Sequence, residues 1–214
     1  MSDAAPPDAG ALPPGFAERV GWTAEAGERL EAYRRLLEEA NRQTNLVGAS
    51  TLEHFWRRHV LDSAQLIWFA PDAVRWADLG AGAGLPGVVL AILLRERPGA
   101  TIHLVESMAK RCRFLQDVVE RLELPAVIHN ARAESLNLKV QMITARALAP
   151  LDRLLEYAAP SAAGGAGMLF LKGEQAPAEI KQARRRWRFD AAVHASLSDP
   201  RGQVLEILGL RRVR

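Results

Sequence analysis

The run Asp78-Leu79-Gly80-Ala81-Gly82-Ala83-Gly84-Leu85-Pro86-Gly87 constrains this chain more than any other segment. An apolar run ends there in Gly80, Gly82, Gly84 and Gly87, so a strand has to turn tightly into a helix. Glycine permits positive φ and lets a ligand approach the backbone without meeting a Cβ. Pro86 suits the first helical turn, where its missing N–H would be unpaired anyway. From about residue 73 short apolar runs alternate with helical patterns. Strands are expected over 74–79, 101–105, 126–129, 141–145, 166–171, 189–195 and 203–209, with helices over 86–95, 108–122, 148–159 and 176–187. Such alternation predicts an α/β fold, Rossmann-like, with a mostly parallel seven-stranded sheet and helices on both faces. The short link Ser198 to Gly202 suits an antiparallel hairpin at the sheet edge.

Upstream, Pro6, Pro7, Pro13 and Pro14 among Ala, Gly and Asp predict a disordered tail over 1–20. Residues 21–70 read as an N-terminal helical extension, packed as one unit with a 71–214 sheet domain. Ala26, Leu30, Tyr33, Leu37 and Ala40 form one apolar stripe. Ser50-Thr51-Leu52-Glu53 reads as a capping box, opening a helix that continues through Phe55, Trp56, Val60, Ala64 and Ile67.

Cys112 is the single cysteine, which excludes an intrachain disulfide and a multi-cysteine metal site, and no histidines have metal-ligand spacing. There is no secretory n-region and no run of roughly 18 apolar residues. A cytoplasmic monomer without membrane contact is the expectation. Net charge is +3, yet Lys181 to Arg214 holds nine Lys/Arg against three acids. That asymmetry permits an anionic partner, although a solvated arginine face is the commoner reading of charge alone.

Ligands of open parallel sheets bind beyond the carboxyl ends of the strands, where strand order reverses. Glu106 follows the turn at the end of the second strand, placed to accept hydrogen bonds from ribose hydroxyls. Glycine turn and acid together admit NAD or S-adenosylmethionine. Asp78 favours the second, because a strand-tip carboxylate would oppose a pyrophosphate but could help hold a cationic methionine end. Ala133-Glu134, after the third strand, is where a methyltransferase of this architecture reads adenine; pairing of Glu134 with Arg132 is the structural alternative. Ser107 is expected to cap the helix over 108–122.

Seven segments in order resemble the RsmG/GidB family of bacterial methyltransferases acting on N7 of a 16S rRNA guanine. They are Asn45-Leu46-Val47, Arg58 to Ser63, Asp78 to Gly87, Glu106 to Leu115, Arg132-Ala133-Glu134, Thr144 to Leu151, and Phe170 to Gly173. The resemblance implies a class I S-adenosylmethionine-dependent fold and S-adenosylhomocysteine as product. It further implies that Gly80, Leu85, Glu106, Ser107, Met108, Ala133, Glu134 and Arg146 line the cofactor pocket, with Asn45 and His59 near it. Leu85 stands where the family often has phenylalanine, and Gln141 where an aspartate is usual. The last 35 residues match only loosely.

Guanine N7 carries an unprotonated lone pair, so no catalytic base is expected and positioning is the protein's task. Arg146 and Lys172 are the candidates to hold the guanine O6 edge or its phosphates, with Asn45 and His59 as further positioning candidates. His59 and Asp62 share a helical face and are expected to pair structurally. Arg57, Arg58, Lys110, Arg111 and Arg113 could touch 16S rRNA or the small ribosomal subunit, though helix-surface charge is commoner. The competing readings are an NAD-dependent oxidoreductase and a non-catalytic ribosomal RNA-binding protein.

Overall fold

Strand β1 (Arg75–Leu79) is buried at every residue after the first, as expected of a central strand covered on both faces. The computed structural model describes residues 12–213. β1 is flanked by β2 (Thr101–Glu106) and β4 (Met142–Arg146); β3 (Ala126–Asn130), β5 (Gly167–Lys172), β6 (Trp187–Ala195) and β7 (Gln203–Arg212) complete the sheet. The order is β3-β2-β1-β4-β5-β7-β6. The first five strands run parallel, while β7 lies antiparallel between β5 and β6. The expected hairpin is present, and it inserts its second strand next to β5. Strand order reverses between β2 and β4 around β1, which puts a ligand crevice beyond Leu79.

The helices are α1 (Phe16–Val20), α2 (Ala24–Asn41), α3 (Ala49–Leu52), α4 (Asp62–Phe69), α5 (Gly87–Leu93), α6 (Ala109–Arg121), α7 (Leu151–Ala162) and α8 (Ala176–Ala183). One apolar cluster joins Leu30, Tyr33, Leu37, Val88, Leu104 and Leu115, so α2 shares a core with α5, α6 and one sheet face. A second cluster packs α7 and α8 on the other face through Leu154, Leu155, Phe170 and Trp187. Among the described residues no helix is long and apolar enough to cross a membrane.

Several expectations are corrected. Of the disordered tail predicted over 1–20, residues 1–11 lie outside the described residues, but 16–20 form α1. Phe16 and Val20 are one helical turn apart and both buried, and the Phe16 ring lies 5.8 Å from that of Trp68. The capping box does not form: α3 starts after Gly48, and the Thr51 hydroxyl donates to the Gly48 carbonyl at 2.6 Å. Instead of one helix through residue 67, a π-helical segment, Trp56–Leu61, precedes α4. Its wider turn brings His59, Val60 and Leu61 successively into the interior.

α7 begins at Leu151 rather than 148, because Pro150 sits at its N-cap and Ala147 takes a φ of 51°. α8 ends at Ala183, and β6 starts with buried Trp187. Gln141 supplies the acceptor for which a carboxylate is usual: its Oε1 receives the N–H groups of Val74 and Arg75 at 2.9 and 3.0 Å. That bond pins the entry of β1 beside β4.

Candidate active site

The glycine turn wraps the carboxyl end of β1. Gly80, Gly82 and Gly84 all have positive φ, at 71°, 55° and 94°. A Cβ on Gly80 would meet Leu148 Cδ1 at 2.6 Å, and one on Gly84 would meet Val88 Cγ2 at 2.4 Å. The two glycines therefore serve different ends. Gly80 borders the crevice, whereas Gly84 lets α5 seat against α6 and does not line it. Tyr33 on α2 is fully buried and donates its hydroxyl to the Ala83 carbonyl at 2.7 Å, which holds the turn from beneath.

Above the turn lies a cavity of about 430 Å³. Gly80, Gly82, Leu85, Glu106, Ser107, Met108, Ala133, Glu134 and Arg146 all border it. These positions come from four separate strand ends, those of β1, β2, β3 and β4. Glu106 is only 4% exposed, and its two oxygens accept the N–H groups of Gly82 (3.1 Å) and Met108 (2.8 Å). The carboxylate thus fixes the turn and the start of α6 together. Ser107 does not cap that helix; Glu106 takes the backbone donor instead. Arg111 comes within 3.6 Å of Glu106 and borders the same cavity. Glu134 is exposed and makes no ion pair with Arg132 among the described residues. Its place beside the apolar Ala133 suits recognition of an adenine edge.

Asp78, expected to hold the cationic end of a cofactor, does not line this cavity. It is fully buried behind the turn, where Oδ2 accepts the Gly87 N–H at 2.8 Å and Oδ1 has no partner. A Cβ on Gly87 would fall 2.7 Å from that Oδ2, so only glycine permits the contact. Burial pushes the Asp78 carboxyl up from 3.8 to about 7, opposed by the Gly87 N–H and the Arg146 charge and reinforced by Glu106. A raised carboxyl stabilises the fold while protonated. Its contribution, on the order of 4 kcal/mol, is complete below about pH 4 and is lost as pH rises to about 7. Asp78→Asn is therefore expected to flatten this part of the stability profile. Urea midpoints of parent and variant at pH 5 and pH 8 check it; a difference that does not change with pH would refute it.

Arg146 ends β4 and borders a second cavity of about 500 Å³, which also includes Asp62, Lys172, Glu174 and Gln203. Its guanidinium donates to the Arg58 carbonyl (3.0 Å), to His59 Nδ1 (3.2 Å) and to Asp62 Oδ2 (3.3 Å). The guanidinium has no acceptor, so Nδ1 of His59 presents its lone pair and Nε2 carries the proton. That N–H points at Thr51 Oγ1, 3.1 Å away. Burial, with the neighbouring Arg146 charge, holds the His59 pKa down to about 3, so the ring is neutral. His59 and Asp62 do not bond one another; they meet through Arg146. Asp62 is held in turn by Ser198 Oγ at 2.6 Å and by Gln65 Nε2 at 3.1 Å.

His59 lies behind Arg146 and lines neither cavity, and neither does the exposed Asn45. Its neighbours Leu46 and Val47 form the lip of the first cavity. Asn41 sets that lip, accepting both their N–H groups at 2.8 and 3.0 Å and donating to the Val47 carbonyl at 3.1 Å. Lys172 lines the second cavity, but its ammonium is engaged by Glu179 (2.7 Å) and the Ala149 carbonyl (3.0 Å). It is a brace between α7 and α8 rather than a free cation.

A solved S-adenosylmethionine-dependent methyltransferase from Aquifex aeolicus has the same fold, with a TM-score of 0.51 at 12% identity over 72% of this chain and 92% of that one. The Ribosomal RNA small subunit methyltransferase G of Caulobacter vibrioides (strain NA1000 / CB15N) is 55% identical over 94% of this chain and 93% of its own length. Its namesake in Parvibaculum lavamentivorans is 44% identical over 91% and 88%. The family model described as GidB, rRNA small subunit methyltransferase G, matches residues 26–206. Turn, near-buried acid and strand-end arginine thus coincide with sequence kinship over nearly the whole chain, and the chain belongs to the GidB family.

Proposed function

We propose that the chain transfers the methyl group of S-adenosylmethionine to N7 of a guanine in 16S rRNA. The carrying observation is that two cavities at the strand ends meet at Arg146 and Ala147. One has the glycine turn and the near-buried acid that suit a nucleoside cofactor; the other suits a nucleobase.

The first cavity fits the cofactor by its donor set. Glu106 keeps lone pairs for two ribose hydroxyls beyond the two backbone bonds it accepts. Met108 and Leu148, which are large, apolar and partly exposed, supply walls for a flat ring. The bound cofactor supplies an electrophilic methyl on a sulfonium. Gln203 and Asp62 border the second cavity, and guanine offers its N1–H and N2 amino groups to side-chain oxygens. Arg146, fixed by three acceptors at once, borders both cavities, and a guanidinium donor at their junction suits the guanine O6. N7 needs no proton removed, so the residues orient, exclude water and leave the displacement to geometry. A guanine has to leave its stack to enter.

The test is a map of N7-methylguanosine in 16S rRNA from cells with and without the gene. One modified guanine is expected to vanish on deletion and to return with the intact chain; an unchanged map refutes the proposal.

A further inference from the structure

A third cavity, of about 520 Å³, lies at the other end of the sheet, among Arg184, Trp187, Arg188, Phe189, Asp190, Gly209 and Arg211. β7 joins the two ends: Gln203 borders the second cavity and Arg211 the third. At a rise of ~3.3 Å per residue they are about 25–30 Å apart. We propose that this cleft is a second RNA site that grips the phosphate backbone of the substrate away from the methylated base. The proposal rests on the RNA substrate of the preceding reading.

Its charge is one-sided, with three arginines facing the single acid Asp190. None of Arg184, Arg188 and Arg211 makes an ion pair among the described residues, and all three are exposed. The neighbouring Arg186 is different, being tied to Asp152 at 3.8 Å and Glu156 at 3.4 Å. An unpaired guanidinium cluster is what phosphate oxygens recognise, two N–H groups to each anion.

One of the three cleft arginines is also held by an aromatic ring, and so is Arg212 beside the cleft. The Arg184 guanidinium sits 5.7 Å from the centre of the Phe189 ring, and that of Arg212 sits 5.5 Å from Trp187. Stacking leaves the edge N–H groups outward and reduces the ordering needed on binding. The shape is built by the strands: β6 carries a bulge between Arg188 and Asp190, opposite Gly209 with a φ of 65°. Beside the bulge, Arg188 and Arg211 are cross-strand partners and border the same opening.

Such a site favours a long, folded RNA over a short one, because the two grips are separated by the full height of the sheet. The test compares the parent with Arg184→Gln/Arg188→Gln/Arg211→Gln on 16S rRNA. KM is expected to rise about tenfold or more at physiological salt, with kcat at saturation unchanged. Removing three contacts is expected to reduce the slope of log affinity against log salt by about 2–3. The thermal shift given by S-adenosylhomocysteine should match the parent's, showing an intact fold and cofactor site. Equal KM and equal salt slope would overturn the proposal. So would an unchanged RNA slope with lost binding to a poly-glutamate peptide, which would assign the cleft to an acidic protein surface. If the parent binds 16S rRNA but transfers no methyl, the activity reading fails, and the two slopes still decide the cleft.

Discussion

Replacing Arg146 with alanine is expected to lower methyl transfer to 16S rRNA on the order of 100-fold, the scale of loss when a reacting group is misplaced by about an ångström. The side chain stands where the two cavities meet and is held by the Arg58 carbonyl, His59 and Asp62. Removing it takes away the donor proposed to hold the base and also frees the groups it ties together. Arg146→Lys should recover little, since a point charge cannot span three acceptors. His59→Asn separates the two effects. Its amide oxygen can accept from Arg146 without altering the guanidinium, so kcat should fall much less than in Arg146→Ala while cofactor binding holds. Single-turnover transfer of labelled methyl measures all three. Parent-like rates in Arg146→Ala would remove it from the site.

Glu106→Gln is expected to weaken S-adenosylhomocysteine binding by about 10- to 100-fold, because bonds to a charged acceptor contribute about 1.5–3 kcal/mol each. The parent carboxylate accepts Gly82 N–H and Met108 N–H on its two oxygens. An amide must turn its NH2 toward one of these donors, so the turn and the start of α6 lose their common anchor. Titration calorimetry with S-adenosylhomocysteine gives the constant directly, and the parent should show no comparable stabilisation by NAD. An affinity within twofold of the parent's would exclude Glu106 as the ribose acceptor.

The sheet was legible because buried parallel strands are near-continuous apolar runs, and 166–171 is such a run. Helix starts were less so. Pro150 and Ala147 displace α7, and nothing in the pattern Trp56–Leu61 announces an extra residue per turn. Most of the cavity lining could be inferred, since Gly80, Glu106, Met108, Ala133 and Arg146 each end a strand or follow one. Direction could not. Asp78 and Gly84 lie in the same turn but face the core, and side-chain direction within an irregular turn follows no period. Lys172 looked free because its partner Glu179 sits in the next helix. The contacts of Asn41, Thr51 and Ser198 around the site were hidden for a related reason. Ser198 is 136 residues from the aspartate it holds, and a lone serine carries no local sign of that.

The bond from Tyr33 to the Ala83 carbonyl has a consequence for how such a protein can change. It joins a helix that precedes the sheet to the loop the cofactor is proposed to use, at a point where both are closed to water. The leading helices are therefore not an accessory that could be exchanged or shed to leave a minimal transferase. Any remodelling of that loop has to be matched fifty residues upstream, so the two segments are expected to evolve as one.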